Sequence, residues 1–189
     1  MIVEGDGPGV VTLGAEDRAA AVAEVRQYLR SADSDEDDLI AALAETALGL
    51  AERYTGQLWL ARAMTEAVAA SRYWTPLRAG PVRAITAVAA LDTAGDEVAI
   101  AAEAHAIDID ANGTGWVRLR APVTASRVVV TIEGWGADSW GAIPDGIRQG
   151  AVLLAAHLFD AREADAAPPL AVAALWRPFR RMRLFERHA

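Results

Sequence analysis

The chain of 189 residues contains no cysteine and no lysine, and it has no long uninterrupted hydrophobic run. Without cysteine there can be no disulfide, no thiol nucleophile and no cysteine-ligated metal site. No apolar stretch approaches the ~18 residues that suggest a membrane-spanning helix. The first residues, MIVEGDGPGVV, lack the basic start and apolar core of a secretion signal. We therefore expect a protein that is made in the cytoplasm and is kept or packaged there.

The chain does contain a high share of hydrophobic residues, 53%, which is enough for one ordinary domain with a core. Its net charge of −8 is unevenly distributed. Residues 177–189 hold five arginines and one glutamate, so the preceding residues together carry −12. An acidic body discourages non-specific binding to nucleic acid, whereas a basic segment can dock on an acidic surface.

Apolar residues at three- and four-residue spacing predict amphipathic helices. These helices are expected at 15–30, 34–55 and 143–163. At the start of the second, Ser34 and Asp37 resemble a capping box, and Gly56 after its end suits a left-handed cap. The third has Pro144 and Asp145 at its start and a broad apolar face, so we expect it to be the core helix.

Between the second and third helices the apolar pattern changes to alternation, which predicts strands. The strands are expected near 58–65, 82–91, 97–100, 105–110, 115–120 and 127–133. Asn112-Gly113 is a strong hairpin signal, and a further helical turn is expected at 170–175. The first residues form either an arm or an edge strand at Val10-Val11-Thr12-Leu13.

These elements predict an α+β fold. A helical bundle is built from N- and C-terminal helices, a small antiparallel β module is inserted at 58–134, and an extended basic C-terminal arm follows. The expected organisation is an N-terminal arm at 1–14, a single domain at 15–176 and an arm at 177–189.

Few residues suggest catalysis or metal binding. His105, Asp108 and Asp110 are types that ligate zinc or manganese, but on a strand His105 points away from the two carboxylates. A solvated strand leading into a turn is the favoured interpretation. His157 lies among apolar neighbours in the core helix, and no serine or cysteine motif supplies a nucleophile beside it. The acidic stretch 33–38 lacks the spacing of a calcium loop.

The C-terminal segment interleaves arginines with large apolar residues. Its apolar members are Trp176, Phe179, Met182, Leu184 and Phe185. The arginines suit phosphate binding, whereas the aromatic residues suit a segment that is buried against another protein. The residues alone leave both readings open.

The order of several motifs resembles one family. The motifs are Asp33 to Leu58, Pro81 to Leu91, Glu133-Gly134-Trp135-Gly136, Ile143-Pro144, a helix that ends His157-Leu158-Phe159-Asp160-Ala161-Arg162, and Leu175-Trp176-Arg177-Pro178-Phe179-Arg180. In this order the chain resembles the head-to-tail connector (adaptor) proteins of tailed bacteriophages and of phage-derived gene transfer agents. The resemblance covers most of the chain.

The resemblance implies a structural virion protein that is not an enzyme and has no cofactor. Copies are expected to form a ring, a dodecamer, beneath the portal protein at the neck of the particle. The ring would extend a channel through which DNA passes without sequence-specific binding, and would offer its lower face to a stopper or tail-side protein. No membrane is involved.

The resemblance also suggests roles for particular residues. The expected portal-docking set is Trp176, Arg177, Phe179, Arg180, Arg181, Met182, Arg183, Leu184 and Phe185. The expected ring interface consists of Leu43, Leu50, Tyr54, Trp135, Trp140 and His157. Two alternatives stay open: another neck or tail component, such as a stopper or tail terminator, and a small enzyme with a site around the histidines and aspartates named above.

Overall fold

The computed structural model describes residues 9–92, 94–161 and 169–180, and these divide into two compact units. The helical unit contains described residues from Val11 to Gln57 and from Trp140 onward. The β unit contains Gly9, Val10 and the described residues of 58–139. The fold is α+β, with the β module inserted between helices from the two ends of the chain. A single domain was expected at 15–176, whereas the structure divides that range into two units.

The described residues of the helical unit form four α-helices. They are α1 (Ala15–Leu29), α2 (Asp37–Thr55), α3 (Asp145–Asp160) and α4 (Leu170–Trp176). The prediction that α3 is the core helix is confirmed, because α3 contacts each of the other three. Its buried residues are Ile147, Gly150, Ala151, Val152, Leu154, Ala155 and Ala156. None of the helices in the described ranges is both long and apolar enough to span a bilayer.

The start of α2 differs from the expected capping box. The helix begins at Asp37, and its N-cap, Glu36, makes no side-chain capping hydrogen bond. Ser34 contributes its carbonyl oxygen, which accepts the N–H of Asp37 at 3.2 Å. The other end matches the prediction: Gly56 has a φ of 68°, which favours glycine, and its N–H donates to the carbonyl of Glu52 at 2.8 Å.

The acidic residues at the start of α2 pair with α1. Arg18 lies 2.8 Å from Asp38, and Arg26 lies 3.4 Å from Asp37. Solvent-exposed pairs of this kind contribute little stability, on the order of 0–1 kcal/mol each.

The described residues before α1 do not form an edge strand. Gly9 lies in a turn, residues 10–14 have no regular secondary structure, and Val11 and Leu13 are buried. The N–H of Leu13 donates to the Glu45 carboxylate on α2 at 2.8 Å. The segment therefore packs by its side chains and this side-chain hydrogen bond instead of pairing in a sheet.

The β unit contains two antiparallel sheets. The first has the order β1 (Ala63–Ala69), β7 (Arg127–Gly134), β3 (Val82–Leu91) and β4 (Glu97–Ala99). The second has the order β2 (Thr75–Pro76), β6 (Gly115–Leu119) and β5 (His105–Ile109). Val117 and Leu119 of the second sheet share one hydrophobic core with Val128, Val130 and Ile132 of the first. Full burial of each such side chain contributes about 1.5–3 kcal/mol.

The predicted strand at 58–65 is wrong at its start. Leu58, Trp59 and Leu60 are all buried, so side chains on both sides of the segment are covered, and β1 begins only at Ala63. Pro76 lies in the short strand β2. The strands predicted from 82 to 133 are confirmed, with ends that differ by at most one residue.

Candidate assembly surfaces

Trp176, at the end of α4, packs against the helical unit. Its side chain is only 4% exposed, and its indole N–H donates to the carbonyl of Ile147 on α3 at 3.2 Å. Its ring centroid lies 5.9 Å from that of Tyr54 on α2, in a tilted arrangement that is favourable for aromatic pairs. Trp176 is therefore an internal anchor, and the prediction that it docks on a portal protein is corrected.

Gly150 makes room for this tryptophan. A Cβ atom at Gly150 would lie 2.9 Å from two ring carbons of Trp176, closer than real Cβ contacts allow. One turn earlier, a Cβ at Gly146 would lie 3.1 Å from the ring of Phe179. Glycines on one side of α3 thus let the two aromatic side chains approach the helix backbone.

The residues after Trp176 are also held. The side-chain amide of Gln57 donates to the carbonyl of Phe179, and the guanidinium of Arg180 lies 5.3 Å from the ring centroid of Tyr54. We call Tyr54, Gly150, Trp176, Phe179 and Arg180 the tail anchor. In the portal-docking set, Arg177 and Arg180 are exposed and Phe179 is half-buried. Arg181, Met182, Arg183, Leu184 and Phe185 lie outside the described residues.

The residues expected at the ring interface have different exposures. The side chain of Trp140 is fully buried, so it belongs to the core and is removed from the interface set. Its backbone N–H donates to the Asp17 carboxylate at 2.7 Å. Leu50 is exposed, and Leu43 and His157 are half-buried. Tyr54 is half-buried and belongs to the tail anchor.

Trp135 is 64% exposed on a loop that the backbone holds firmly. Its N–H donates to the carbonyl of Pro81 at 2.7 Å. Two residues later, Ala137 exchanges hydrogen bonds of 2.9 Å with Trp59 and Ala61. A Cβ at Gly136 would lie 2.5 Å from the carbonyl carbon of Leu60, so only glycine fits there. The loop therefore presents a large aromatic side chain to solvent at a fixed position.

The surface beside Trp135 is a small depression of about 220 Å³. It is lined by Ala61, Arg83, Gly134, Trp135, Gly136 and Asp138. Small-molecule sites are larger, roughly 300–1,000 Å³, and mostly enclosed. Several of the lining residues, Arg83 and Asp138 among them, are exposed. The depression therefore suits contact with another protein better than capture of a ligand.

An aromatic surface on the three-stranded sheet was not predicted from the sequence. Residues alternate along β6, so Trp116 and Arg118 share the face opposite to the buried Val117. The Arg118 guanidinium lies 4.7 Å from the ring centroid of Trp74, which directly precedes β2. The alternation in the sequence GWVRLR indicates that Trp116 and Arg118 share one face of a strand. The strand β2 has only two residues, so no sequence pattern predicts that Trp74 lies beside Arg118.

His105, Asp108 and Asp110 have local backbone roles. His105 Nδ1 is 3.0 Å from the carbonyl oxygen of Ala101, and Asp108 accepts the N–H of Ile109 at 2.9 Å. Across the described ranges, no group of three His, Asp or Glu residues is arranged to hold a metal ion.

Asp110 organises the turn between β5 and β6. Its carboxylate accepts the N–H groups of Asn112 and Thr114 at 2.9 and 2.8 Å, and the indole N–H of Trp116 at 3.4 Å. Burial by itself raises the pKa of Asp110, but these donors outweigh it and hold the pKa below the usual 3.8. Gly113 completes the turn with a φ of 74°.

The comparisons with known proteins point to one kind of particle. A chain in the neck of an empty gene transfer agent particle, computed with C6 symmetry, is 28% identical with a TM-score of 0.68, covering 92% of this chain and 95% of that chain. A chain in the neck of a native gene transfer agent particle, computed with C12 symmetry, is 28% identical with a TM-score of 0.66. The match covers 93% of this chain and 96% of that chain. A chain in the virion of a native gene transfer agent particle is 27% identical with a TM-score of 0.64. The match covers 93% of this chain and 95% of that chain.

No protein-family model matches the chain, and no curated protein matches it. The structural likeness spans both units and supports a structural component of a particle neck. The sixfold and twelvefold symmetries of those necks are consistent with a ring-forming oligomer. No enzyme family is indicated by the likeness.

Proposed function

We propose that the protein is the head-to-tail connector (adaptor) of a phage or gene-transfer-agent particle. Its copies close into a ring, a dodecamer, beneath the portal protein. The ring extends the DNA channel and offers its lower face to a stopper or tail-side protein. The observation that carries the proposal is the likeness, over more than nine-tenths of the chain, to chains of gene transfer agent necks.

The charge of the chain supports a conduit. The net charge is −8, and a negative lumen repels phosphates, so a duplex slides through without being held. A closed ring requires a heterologous interface, in which one face of a subunit meets a different face of its neighbour. Leu50 and Trp135 are exposed apolar side chains available for such an interface.

The C-terminal residues after the tail anchor are proposed to dock on the portal. Trp176 and its neighbours hold the residues that precede this segment against the helical unit. Residues 181–189 contain three arginines, three large apolar residues, Met182, Leu184 and Phe185, and a single glutamate. Such a combination suits a segment that docks on an acidic protein surface.

The test removes residues 181–189 and leaves the tail anchor intact. We expect the truncated protein to fold and to form rings, which native mass spectrometry measures. We also expect it to lose incorporation into portal-bearing heads, measured by co-sedimentation. A truncation from 170 serves as the contrasting variant, because it also removes Trp176 and should destabilise the helical unit. Normal incorporation of the protein that ends at residue 180 would contradict the docking role.

The same experiment separates a connector from other neck components. A connector joins heads before any tail-side protein is present. A protein that ignores portal-bearing heads and binds only tails would instead be a tail terminator, and one that binds only after another neck protein would be a stopper.

A further inference from the structure

The outward face of the three-stranded sheet carries large side chains that the fold itself does not bury. Trp74 is 41% exposed and Tyr73 is 84% exposed, and both directly precede β2. Trp116 and Arg118 lie on this face because their neighbours along β6 point into the core. We call Arg72, Tyr73, Trp74, Trp116, Arg118 and Arg120 the aromatic–arginine face.

The register places Trp74, Trp116 and Arg118 together on this face. Pro76 pairs with Trp116, and Thr75 pairs with Val117, so the next row brings Trp74 beside Arg118. The N–H of Leu119 donates to the carbonyl of Ser71 at 2.8 Å, and Arg72 and Tyr73 form a bend between Ser71 and β2. Arg72, in this bend, and Arg120, which directly follows Leu119, are both exposed near the Trp74 end.

The two ends of the face differ in charge. Asp108 pairs with Trp116 across the strands, and Asp110 bonds to its indole, so both carboxylates lie at the Trp116 end. The end with Trp74 carries the arginines. This end of the face is therefore a basic surface on which Arg118 stacks against Trp74, although the net charge of the chain is −8.

The composition of the face fits a protein interface. Trp, Tyr and Arg are the residues that most often dominate the binding energy of protein interfaces. Trp and Tyr supply a large contact area with few rotatable bonds, and Arg supplies a planar fork of hydrogen-bond donors. The cation–π contact with Trp74 holds the Arg118 side chain in place before any partner arrives.

The chain itself offers a surface of opposite charge. Residues 33–38 precede and begin α2, and Asp33, Asp35 and Asp38 are exposed. We propose that the aromatic–arginine face binds the acidic segment 33–38 of the neighbouring copy in the ring. This inference rests on the proposed ring. It supplies the two different, complementary faces that a heterologous interface requires.

The test is a pair of charge reversals and their combination. Arg72→Glu with Arg120→Glu reverses one side, and Asp33→Arg with Asp35→Arg reverses the other. We expect each double variant to reduce the ring fraction by about tenfold or more at low salt, because like charges then meet. We expect the combined variant to regain rings to within about threefold of the unmodified protein. Native mass spectrometry reports the ring fraction, and thermal unfolding verifies that each variant is folded.

The control matches the change in charge. Arg53→Glu reverses an exposed arginine of the helical unit that lies outside segment 33–38, is compared with the single Arg72→Glu variant, and should leave the ring fraction unchanged. An equal loss of rings in this control, or no recovery in the combined variant, would overturn the inference. So would normal rings in the Arg72 and Arg120 variant together with lost binding to a single-stranded oligonucleotide, which would assign the face to nucleic acid. An unmodified protein that stays monomeric beside portal-bearing heads would overturn the proposed function as well.

Discussion

Asp110 shows how one carboxylate can fix a turn. It accepts two backbone N–H groups within the Asn112-Gly113 turn and bonds to Trp116 on the next strand. The Asn-Gly signal predicted the hairpin, but from the sequence Asp110 was interpreted as part of a solvated strand or as a metal ligand, and its hydrogen bonds to the turn were not predicted. A side chain that caps its own backbone and one that binds a metal use the same oxygens, so residue type alone does not separate the roles.

We expect Asp110→Asn to lower the free energy of unfolding by about 1 kcal/mol at neutral pH, because charge-assisted hydrogen bonds to the turn are weakened. The folded-state pKa of Asp110 is depressed, so its stabilising contribution is present above the usual 3.8 and is lost as pH falls through the folded-state value. The difference between the two proteins should therefore shrink below about pH 4. Urea unfolding as a function of pH measures it.

Asp108→Asn is the matched control for this prediction. Asp108 is exposed and accepts only the N–H of its neighbour Ile109 at 2.9 Å. We expect a smaller change for it. Equal effects of the two substitutions at every pH would contradict the role assigned to Asp110.

At the scale of elements, α4 is held by a close approach to α3. A helix of seven residues is too short to be stable alone, so its position depends on Trp176 and on the absence of a side chain at Gly150. A glycine inside a helix reduces its stability by roughly 0.5–1 kcal/mol relative to alanine. Here the glycine permits a buried tryptophan whose loss would cost more, about 3–5 kcal/mol.

We expect Gly150→Ala to destabilise the protein by about 1–3 kcal/mol, despite the higher helix propensity of alanine, because the added methyl group displaces the indole. Gly141→Ala is the control, since a methyl group there meets nothing within 4 Å. Thermal unfolding measures the stability, and limited proteolysis reports whether residues 170–180 leave the helical unit. A Gly150→Ala protein as stable as the control would contradict this account of the tail anchor.

At the scale of the whole molecule, the β unit draws its core from its own two sheets. The residues that link the sheets, Val117 and Val130 among them, all lie between positions 58 and 139. The helical unit is formed by segments from both sides of that insertion. The β unit therefore has the contacts that independent folding requires.

We expect a fragment that spans residues 58–139 to unfold cooperatively, because its buried apolar side chains find their partners within the fragment. Circular dichroism during a denaturant titration measures this. As a control, a Val130→Asp fragment should lose the transition, because it places a charge in the shared core. A non-cooperative loss of signal in the unmodified fragment would show that its core depends on the rest of the chain.

Local chemistry was sufficient to predict much of the architecture. The helices, strand β3 at Val82–Leu91 and the turn at Asn112-Gly113 follow from periodicity and turn preference, which act over a few residues. The start of β1 was wrong because alternation at 58–62 coincided with burial of consecutive side chains by other segments. No pattern in the neighbouring sequence predicts burial by segments that are distant along the chain.

The surface roles of aromatic residues depended on tertiary structure. Trp135, Trp140 and Trp176 all stand near glycine or proline in loops or at helix ends, and their sequence contexts suggested contact with other proteins. The fold leaves Trp135 64% exposed and buries the other two. The sequence by itself determined where the helices and the longer strands form, except for the start of β1. Which tryptophans remain available to a partner was decided only by packing, because exposure depends on residues that lie far away along the chain.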